Sequence, residues 1–562
     1  MGVKGNVPDR RNVWEATTGS ATRGWASQRA PSPYTRRMDR RSRIVLLAVL
    51  GAGVFLAGLE LMVTAVALPS IVTDLASWTE LRLASWVING YLLAYVITMP
   101  LAGRLADQWG ARRLFLAGLA VFTLGSLLAG RAASLEELIA ARVVQAIGGG
   151  ILVPVGTAAA SHLFDDDGRP RALGFIGALT FLGMAAGPFV GAWILTNFHP
   201  AAALEAAGFA DGGVHDALAA SWRYVFYINV TIGIVALAMA WAASADWDSE
   251  RVHGSIDLGG AAAFSLGIGL ILVATTLAGS AELFASNLDP SVILVGAGAL
   301  GVVSLGIAAV VGARHPRAFF DVRLFRHRAF ASAALVSLLT GYGFATAIVG
   351  AAVFVDRVLY GGPDVQRLTL GALAGATAAG ALVSGFILRL AGLRAVTVVG
   401  LLMSTAALFV MSRWTPGTGI TEVAGILAIF GFGFGVTVTP RSTAAVEAVG
   451  RAAFGVASAT VTVARMIGMA VGLAALTAFG STTIDRLSHE IYATPDSYKL
   501  FIPAELRDRQ LRDGLVVQAL ERWAADEAGR ILVGIFLVAA VVTALALIPA
   551  LALRRPRILD GS

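Results

Sequence analysis

Residues 44–69 read IVLLAVLGAGVFLAGLELMVTAVALP, twenty-six residues with a single charge among them, Glu60. About 20 mainly apolar residues suffice to cross a hydrocarbon layer roughly 30 Å thick. The stretch therefore predicts a membrane helix that carries one carboxylate. Just before it stand Arg36, Arg37, Arg40, Arg41 and Arg43, a basic cluster of the kind that sets orientation in a bilayer.

The rest of the chain repeats this pattern. Thirteen further apolar runs lie near 83–103, 114–130, 138–160, 172–196, 224–243, 258–279, 290–312, 329–355, 368–388, 395–412, 423–440, 452–480 and 531–553. Composition agrees: of 562 residues 57% are hydrophobic and 14% charged, against about 25% charged in soluble domains. The 64 Gly and 18 Pro also suit membrane helices, which tolerate both. The expected fold class is thus all-α integral membrane protein with fourteen transmembrane helices.

Several functions are excluded at once. The chain has no Cys, so disulfides, thiolate zinc sites and Cys nucleophiles are ruled out. Its 7 His show no metal-ligand spacing, no P-loop is present, and no metal or cofactor is expected. The net charge of +7 comes from Arg in short clusters between apolar runs, not from one basic face, which argues against nucleic acid. The first 43 residues are polar and Arg-rich, without the short apolar core of a signal peptide. No constellation of catalytic carboxylates or nucleotide site is visible, so the chain is not expected to be an enzyme. The acidic run at 165–167, beside Arg169 and Arg171, reads as solvated charge and not a divalent-metal site.

Arg placement orients the spans. Alternate connections carry Arg104, Arg112 and Arg113; Arg169 and Arg171; Arg251; Arg314, Arg317, Arg323, Arg326 and Arg328; Arg389 and Arg394; Arg441 and Arg451. The opposite short loops hold fewer: Arg82, Arg131, Arg357, Arg367 and Arg413. The positive-inside rule then puts both termini on the cytoplasmic face of the plasma membrane. Two outer loops are long, 197–221 and 481–530, and the second contains helix-like, amphipathic stretches. The expected organisation is a tail at 1–43, six helices over 44–243, a linker with two helices over 244–328, six more over 329–553, and a tail at 554–562.

Charge in the interior of a span costs about 2.5–3.5 kcal/mol even on a lenient scale, so such residues are functional candidates. Three are expected inside the spans: Glu60, Arg142 and Arg465. At ~1.5 Å per residue, Glu60 lies roughly 24 Å from the cytoplasmic end of its helix, Arg142 about 10 Å below the outer end of the fourth helix, and Arg465 about 20 Å along the thirteenth. All three fall in neighbouring layers. Glu60 and Arg142 are expected to face one cavity; burial favours the neutral carboxyl and the guanidinium favours the ionised one, which together poise Glu60 to exchange a proton. The alternative is a permanent ion pair that only holds helices together. In the fifth helix Gly183, Gly187 and Gly191 recur every four residues around Pro188, a stripe for close helix approach with a fixed bend. Gly148, Gly149 and Gly150 form a similarly pliable segment of the fourth helix.

The stretch Gly103-Arg104-Leu-Ala-Asp107-Gln-Trp-Gly110-Ala-Arg112-Arg113 joins two spans and closely resembles the loop between helices 2 and 3 of the major facilitator superfamily. Four further segments resemble its fourteen-helix drug:proton antiporter family: Leu59 to Pro69 in helix 1, Arg142-Val-Val-Gln145 in helix 4, Gly183 to Gly191 in helix 5, and Ser221-Trp222-Arg223 through Asn229 entering helix 6. The resemblance implies two six-helix bundles related by a pseudo-twofold axis, an extra helix pair between them near 258–312, and substrate bound between the bundles with alternating access. It implies proton coupling at Glu60 and Arg142 and gating by the 103–113 motif, with Asp107 placed where the N-terminus of helix 13 stabilises its charge. It implies an antiporter motif at Gly183, Gly187, Pro188 and Gly191. Asn89, Tyr91, Gln145 and Arg465 are cavity candidates. A weak echo of the loop motif, Gly385 to Arg394, falls at the matching place in the second bundle.

The sequence departs from the family pattern in three places. Glu60 replaces an Asp, Gln108 and Ala111 replace basic residues, and Asn89 replaces a hydroxyl residue. No acid lies inside helices 5 or 9 to 12, which favours neutral or amphipathic substrates over dications. The expected function is proton-coupled export of hydrophobic or amphipathic compounds, of the multidrug-efflux type. The alternative is a lipid or glycolipid exporter in which 481–530 extends the path outside the bilayer. The expected partners are protons, the bilayer and an amphipathic small molecule or lipid, with an extracytoplasmic partner at 481–530 and the chain a monomer.

Overall fold

The computed structural model describes residues 40–75, 86–164, 168–198, 200, 220–243, 257–278, 290–314, 322–449, 454–492, 496–508 and 513–553. The expectations for 1–39 and 554–562, for 165–167, for most of the 197–221 loop and for Arg82, Arg251, Arg317 and Arg451 lie outside these residues, while 40–43, assigned to the tail, are the first residues of the first helix.

The helices in chain order are α1 (Arg40–Leu75), α2 (Trp86–Trp109), α3 (Ala111–Arg131), α4 (Leu135–Leu163), α5 (Arg169–Asn197), α6 (Arg223–Ala242), α7 (Leu258–Ala278) and α8 (Pro290–Arg314). After α9 (Arg328–Val353), one continuous run, Pro363–Met411, contains two helices, α10 over 363–391 and α11 over 393–411. They meet at Gly392, whose φ of 79° is open to glycine at little steric cost. α12 (Ile420–Glu447), α13 (Phe454–Tyr492) and α14 (Gly514–Leu545) follow. Twelve helical segments of the described residues are long and apolar enough to cross a membrane, Asp364–Met411 among them; α7 contains a shorter apolar stretch, Gly259–Ile271. With the break at Gly392 and with α7, each of the fourteen apolar runs contains a helix among the described residues.

Local chemistry explains several helix starts. Ser134 accepts the backbone N–H of Glu137 at 3.3 Å while the Glu137 carboxylate accepts that of Ala133 at 2.9 Å, a reciprocal cap at the head of α4. Asp513 accepts the N–H of Leu515 at 2.9 Å and opens α14. Pro stands in the first turn of α5 and of α10, where a missing N–H costs nothing.

The helices form two bundles, α1–α6 and α9–α14, whose apolar cores run into one another: Val463 and Met466 of α13 pack into the core of the first bundle, and Ala178 and Phe181 of α5 into that of the second. Between them in sequence, α7 and α8 pair with one another through Gly267 and Gly301, and Ser304 donates to the Ala263 carbonyl at 2.7 Å. α7 also touches α2, while α8 turns Val295, Leu300 and Val302 outward. Large apolar side chains on the outside, such as Trp241 at 72% exposure and Leu390 at 90%, are what a lipid solvent allows and water penalises. The bundles meet along two seams, α2 against α13 and α5 against α10. The seams repeat one contact: a Cβ on Gly103 would lie 2.5 Å from the Gly455 carbonyl oxygen at the head of α13, and one on Gly385 would lie 2.8 Å from that of Pro170 at the head of α5. The echo motif thus holds the pseudo-symmetric position, but with exposed Arg389 four residues on, where the first motif has Asp107.

Two expectations need correction. Arg441, assigned to a loop, lies inside α12 and is 2% exposed; Pro440 ends the apolar run in sequence, yet the helix continues to Glu447. Arg169, also assigned to a loop, opens α5 and is buried, its Nε donating to the Ser161 carbonyl at 3.1 Å. The 481–530 stretch, expected as a long outer loop with helix-like parts, is helical at both ends and continuous with the spans: α13 runs to Tyr492 and α14 begins at Gly514. Between them, short turns at Ser497–Leu500 and Ala504–Leu506 close a small core of Tyr498, Ile502 and Val516, and Phe501 meets Trp523 at 4.8 Å.

Candidate functional site

Glu60 is fully buried in the first bundle, and every hydrogen bond to it comes from a different direction. Thr64, one turn on in α1, donates to Oε1 at 2.8 Å. Arg142 of α4 donates to the same oxygen and forms an ion pair, with both side chains almost wholly out of solvent. Asn229 of α6 donates to Oε2. The Arg142 guanidinium is held on its other sides as well: it donates to Gln145 Oε1 at 2.5 Å and to the Val87 carbonyl at 3.2 Å, and lies 4.0 Å from the centroid of the Tyr91 ring. Gln145 in turn donates to Ser126 at 2.8 Å, and Ser126 to the Phe122 carbonyl at 2.8 Å. Five helices of one bundle thus converge on one carboxylate and one guanidinium.

The ionised pair balances its own charge in a medium where an isolated charge is expensive. A proton added to Glu60 would remove that balance and leave Arg142 held by neutral acceptors and a ring face. The arrangement can therefore hold a proton at Glu60 and report it through Arg142. Tyr91 stacks on Tyr95 at 5.7 Å, and the Tyr91 hydroxyl is buried with no hydrogen-bond partner among the described residues. Asn89, half-buried two residues earlier in α2, stands outside this set of bonds.

Glycines let α1 and α5 press together beside Glu60. A Cβ on Gly58 would overlap the Thr180 carbonyl, and one on Gly183 that of Phe55; at Gly187 it would lie 2.9 Å from the Leu59 oxygen, and at Gly191 3.2 Å from that of Val63. The helix continues through Pro188.

The 103–113 motif closes one end of the α2 and α13 seam. Asp107, 5% exposed, accepts the backbone N–H of Gly455 at 2.9 Å and of Val456 at 3.1 Å, the first turn of α13. A carboxylate from one bundle thus caps a helix of the other, where the dipole favours negative charge. Arg104 adds its field at Asp107; Arg112 is half-buried and Arg113 exposed. Gly110, at φ 92°, turns the chain from α2 into α3.

Arg465 does not join the Glu60 cluster. It lies in α13 with its guanidinium 5.4 Å from the Phe181 ring of α5, within electrostatic reach of Tyr95 of α2. Arg441 of α12 lies 5.2 Å from the Phe434 ring, donates from Nε to the Thr437 carbonyl at 3.0 Å, and donates to the hydroxyl of Thr340 in α9. Phe181, Phe344 and Phe434 are in mutual contact, with centroids 4.4 to 5.7 Å apart.

The structure brings together Glu60, Arg142, Gln145 and Tyr91, and adds Thr64, Ser126 and Asn229. Thr64 carried a signal, four residues from Glu60 on one helix face. Asn229 lies within the segment entering helix 6, whose sequence alone does not mark it as a partner of Glu60, and nothing in sequence marks Ser126.

A family model described as Major Facilitator Superfamily matches residues 50–473. A triacylglyceride transporter of Mycolicibacterium hassiacum is 30% identical over 492 residues, 85% of this chain and 86% of that one. Multidrug resistance protein 3 of Bacillus subtilis is 26% identical over 457 residues, 81% of this chain and 82% of that one. The human organic anion transporter MFSD10 (TETRAN) shares the fold, with a TM-score of 0.56 at 13% identity over 89% of this chain and 99% of that one.

Proposed function

Since the chain belongs to the Major Facilitator Superfamily and is a multi-pass membrane transporter, not an enzyme, we propose that it exports a lipid by proton-coupled alternating access. The observation that carries the lipid reading is the prolongation of α13 and α14 beyond the spans, joined by the compact turn around Tyr498, Ile502 and Val516. A strongly apolar cargo gains nothing from release into water, and a helical ridge beyond the bilayer offers it a continued surface and a docking point for an extracytoplasmic acceptor. The similarity to a relative named as a triacylglyceride transporter supports the same reading. Multidrug efflux of amphipathic compounds is the second reading, favoured by the likeness to Multidrug resistance protein 3.

In this scheme the Asp107 end is cytoplasmic, as are both termini, and the protein is a monomer of the plasma membrane with its bundles at 44–243 and 329–553. The cap of Asp107 on α13 is the cytoplasmic gate. Protonation of Glu60 weakens its bond to Arg142 and lets the first bundle reorient. The α1–α5 glycine contact serves as the pivot.

Reconstitution into liposomes with an imposed pH gradient tests the proposal, with a fluorescent triacylglycerol and a cationic dye as alternative cargoes. Wild type is expected to move the lipid, and removal of 481–530 to abolish lipid movement while dye movement persists. Dye movement with no lipid movement in wild type would favour the second reading; movement of neither cargo would overturn both.

A further inference from the structure

Two arginines in the second bundle have no carboxylate to answer them. Arg142 has Glu60, but among the described residues no Asp or Glu pairs with Arg441 or Arg465. The two share one level of the bundle: Arg441 bonds Thr340, and the next residue of α9, Gly341, packs directly on the backbone of Arg465. They lie within electrostatic reach of one another, so their charges repel. Each lies beside an aromatic ring, Arg465 with Phe181 and Arg441 with Phe434, and these rings touch at 5.5 Å. Because Phe181 belongs to the first bundle and Phe434 to the second, the pair of cations brackets the interface between bundles. The buried Nε of Arg465 has no acceptor among the described residues, while the residue as a whole is only half-buried.

A guanidinium presents a planar fork of donors that suits carboxylate and phosphate oxygens. An anion between Arg441 and Arg465 would satisfy the unused donor and cancel the repulsion. The rings of Phe181, Phe344 and Phe434 beside it are apolar and suit hydrocarbon. We propose that Arg441 and Arg465 form a subsite for an anionic headgroup, carboxylate or phosphate, on a substrate whose apolar body lies against these rings. This rests on the lipid-export reading and names the class of lipid within it: an acidic amphiphile is carried in preference to a neutral one.

The test compares fluorescent phosphatidic acid with the diacylglycerol of the same acyl chains, in proteoliposomes under one pH gradient. Wild type is expected to move the acidic lipid faster by at least about tenfold, the scale of one charge-assisted hydrogen bond. Arg465→Gln is expected to bring the ratio of the two rates toward one, and Arg465→Lys to keep most of it. Inorganic phosphate as competitor separates the sources: no inhibition supports recognition of the headgroup only on an apolar body, whereas inhibition supports the anion subsite but assigns it to free anions as well. Thermal-shift titration of purified wild type with each lipid reads the same preference without any variant having to fold. Equal rates and equal shifts for the two lipids overturn the subsite while leaving lipid export standing; movement of neither lipid overturns both.

Discussion

Asn229 donates its side-chain amide to Oε2 of Glu60, the carboxylate oxygen that Arg142 and Thr64 leave open. The two residues are 169 positions apart, and their contact ties α6 to α1 at a fully buried acid of the first bundle. Both oxygens of Glu60 are thereby engaged while it is ionised. Asn229→Leu removes one donor to a charged acceptor, worth about 1.5–3 kcal/mol. A lower melting temperature and slower gradient-driven flux are expected together, measured on purified and reconstituted protein.

Glu60→Gln leaves Arg142 buried without its counter-charge, a loss of about 3–5 kcal/mol, whereas replacing both partners by apolar groups is often neutral. Glu60→Gln is therefore expected to lower the melting temperature, and Glu60→Gln with Arg142→Met to recover it in large part. If the pair serves proton coupling, neither variant regains pH-driven flux. Recovery of flux along with stability in the double variant would show that the pair only holds helices together.

The Asp107 cap predicts how the α2–α13 seam opens. Asp107→Asn keeps the shape and removes the charge that favours the head of α13. The chain has no Cys, so Ala459→Cys, at a buried position facing Gly103, supplies a single reporter of opening. Losing the attraction between that charge and the helix dipole, about 1 kcal/mol, is expected to raise the maleimide labelling rate at that site roughly fivefold. An unchanged rate with reduced transport would place the role of Asp107 elsewhere.

The glycine stripe of α5 predicts a gradient of tolerance. At Gly183 any Cβ meets the Phe55 carbonyl, so Gly183→Val forces α1 and α5 apart, with overpacking costing about 1–3 kcal/mol. At Gly191 the nearest atoms are 3.2 Å away, and Gly191→Ala is expected to keep near-normal stability and flux. Parallel melting curves and transport assays of the two variants check the order.

Much of this protein is legible along the chain because a bilayer imposes its rule locally. Every stretch of about 20 residues that crosses it must be apolar, so hydropathy marks the spans, the exceptional Glu60 and Arg142, and the glycines that permit close approach. Sequence thus determined the all-helical membrane fold, the number of apolar runs and the carboxylate around which the first bundle is built. It did not determine which side chains meet, because that depends on how each helix is rotated and where it crosses its neighbours. Tertiary structure brought Asn229 and Ser126 to the Glu60 network from helices far apart in the chain. It carried α12 past Pro440 and so buried Arg441, a residue that local hydropathy placed in a loop. It also turned the ends of 481–530 into extensions of α13 and α14, since helices already packed in the layer can continue through sequence too polar to begin one there.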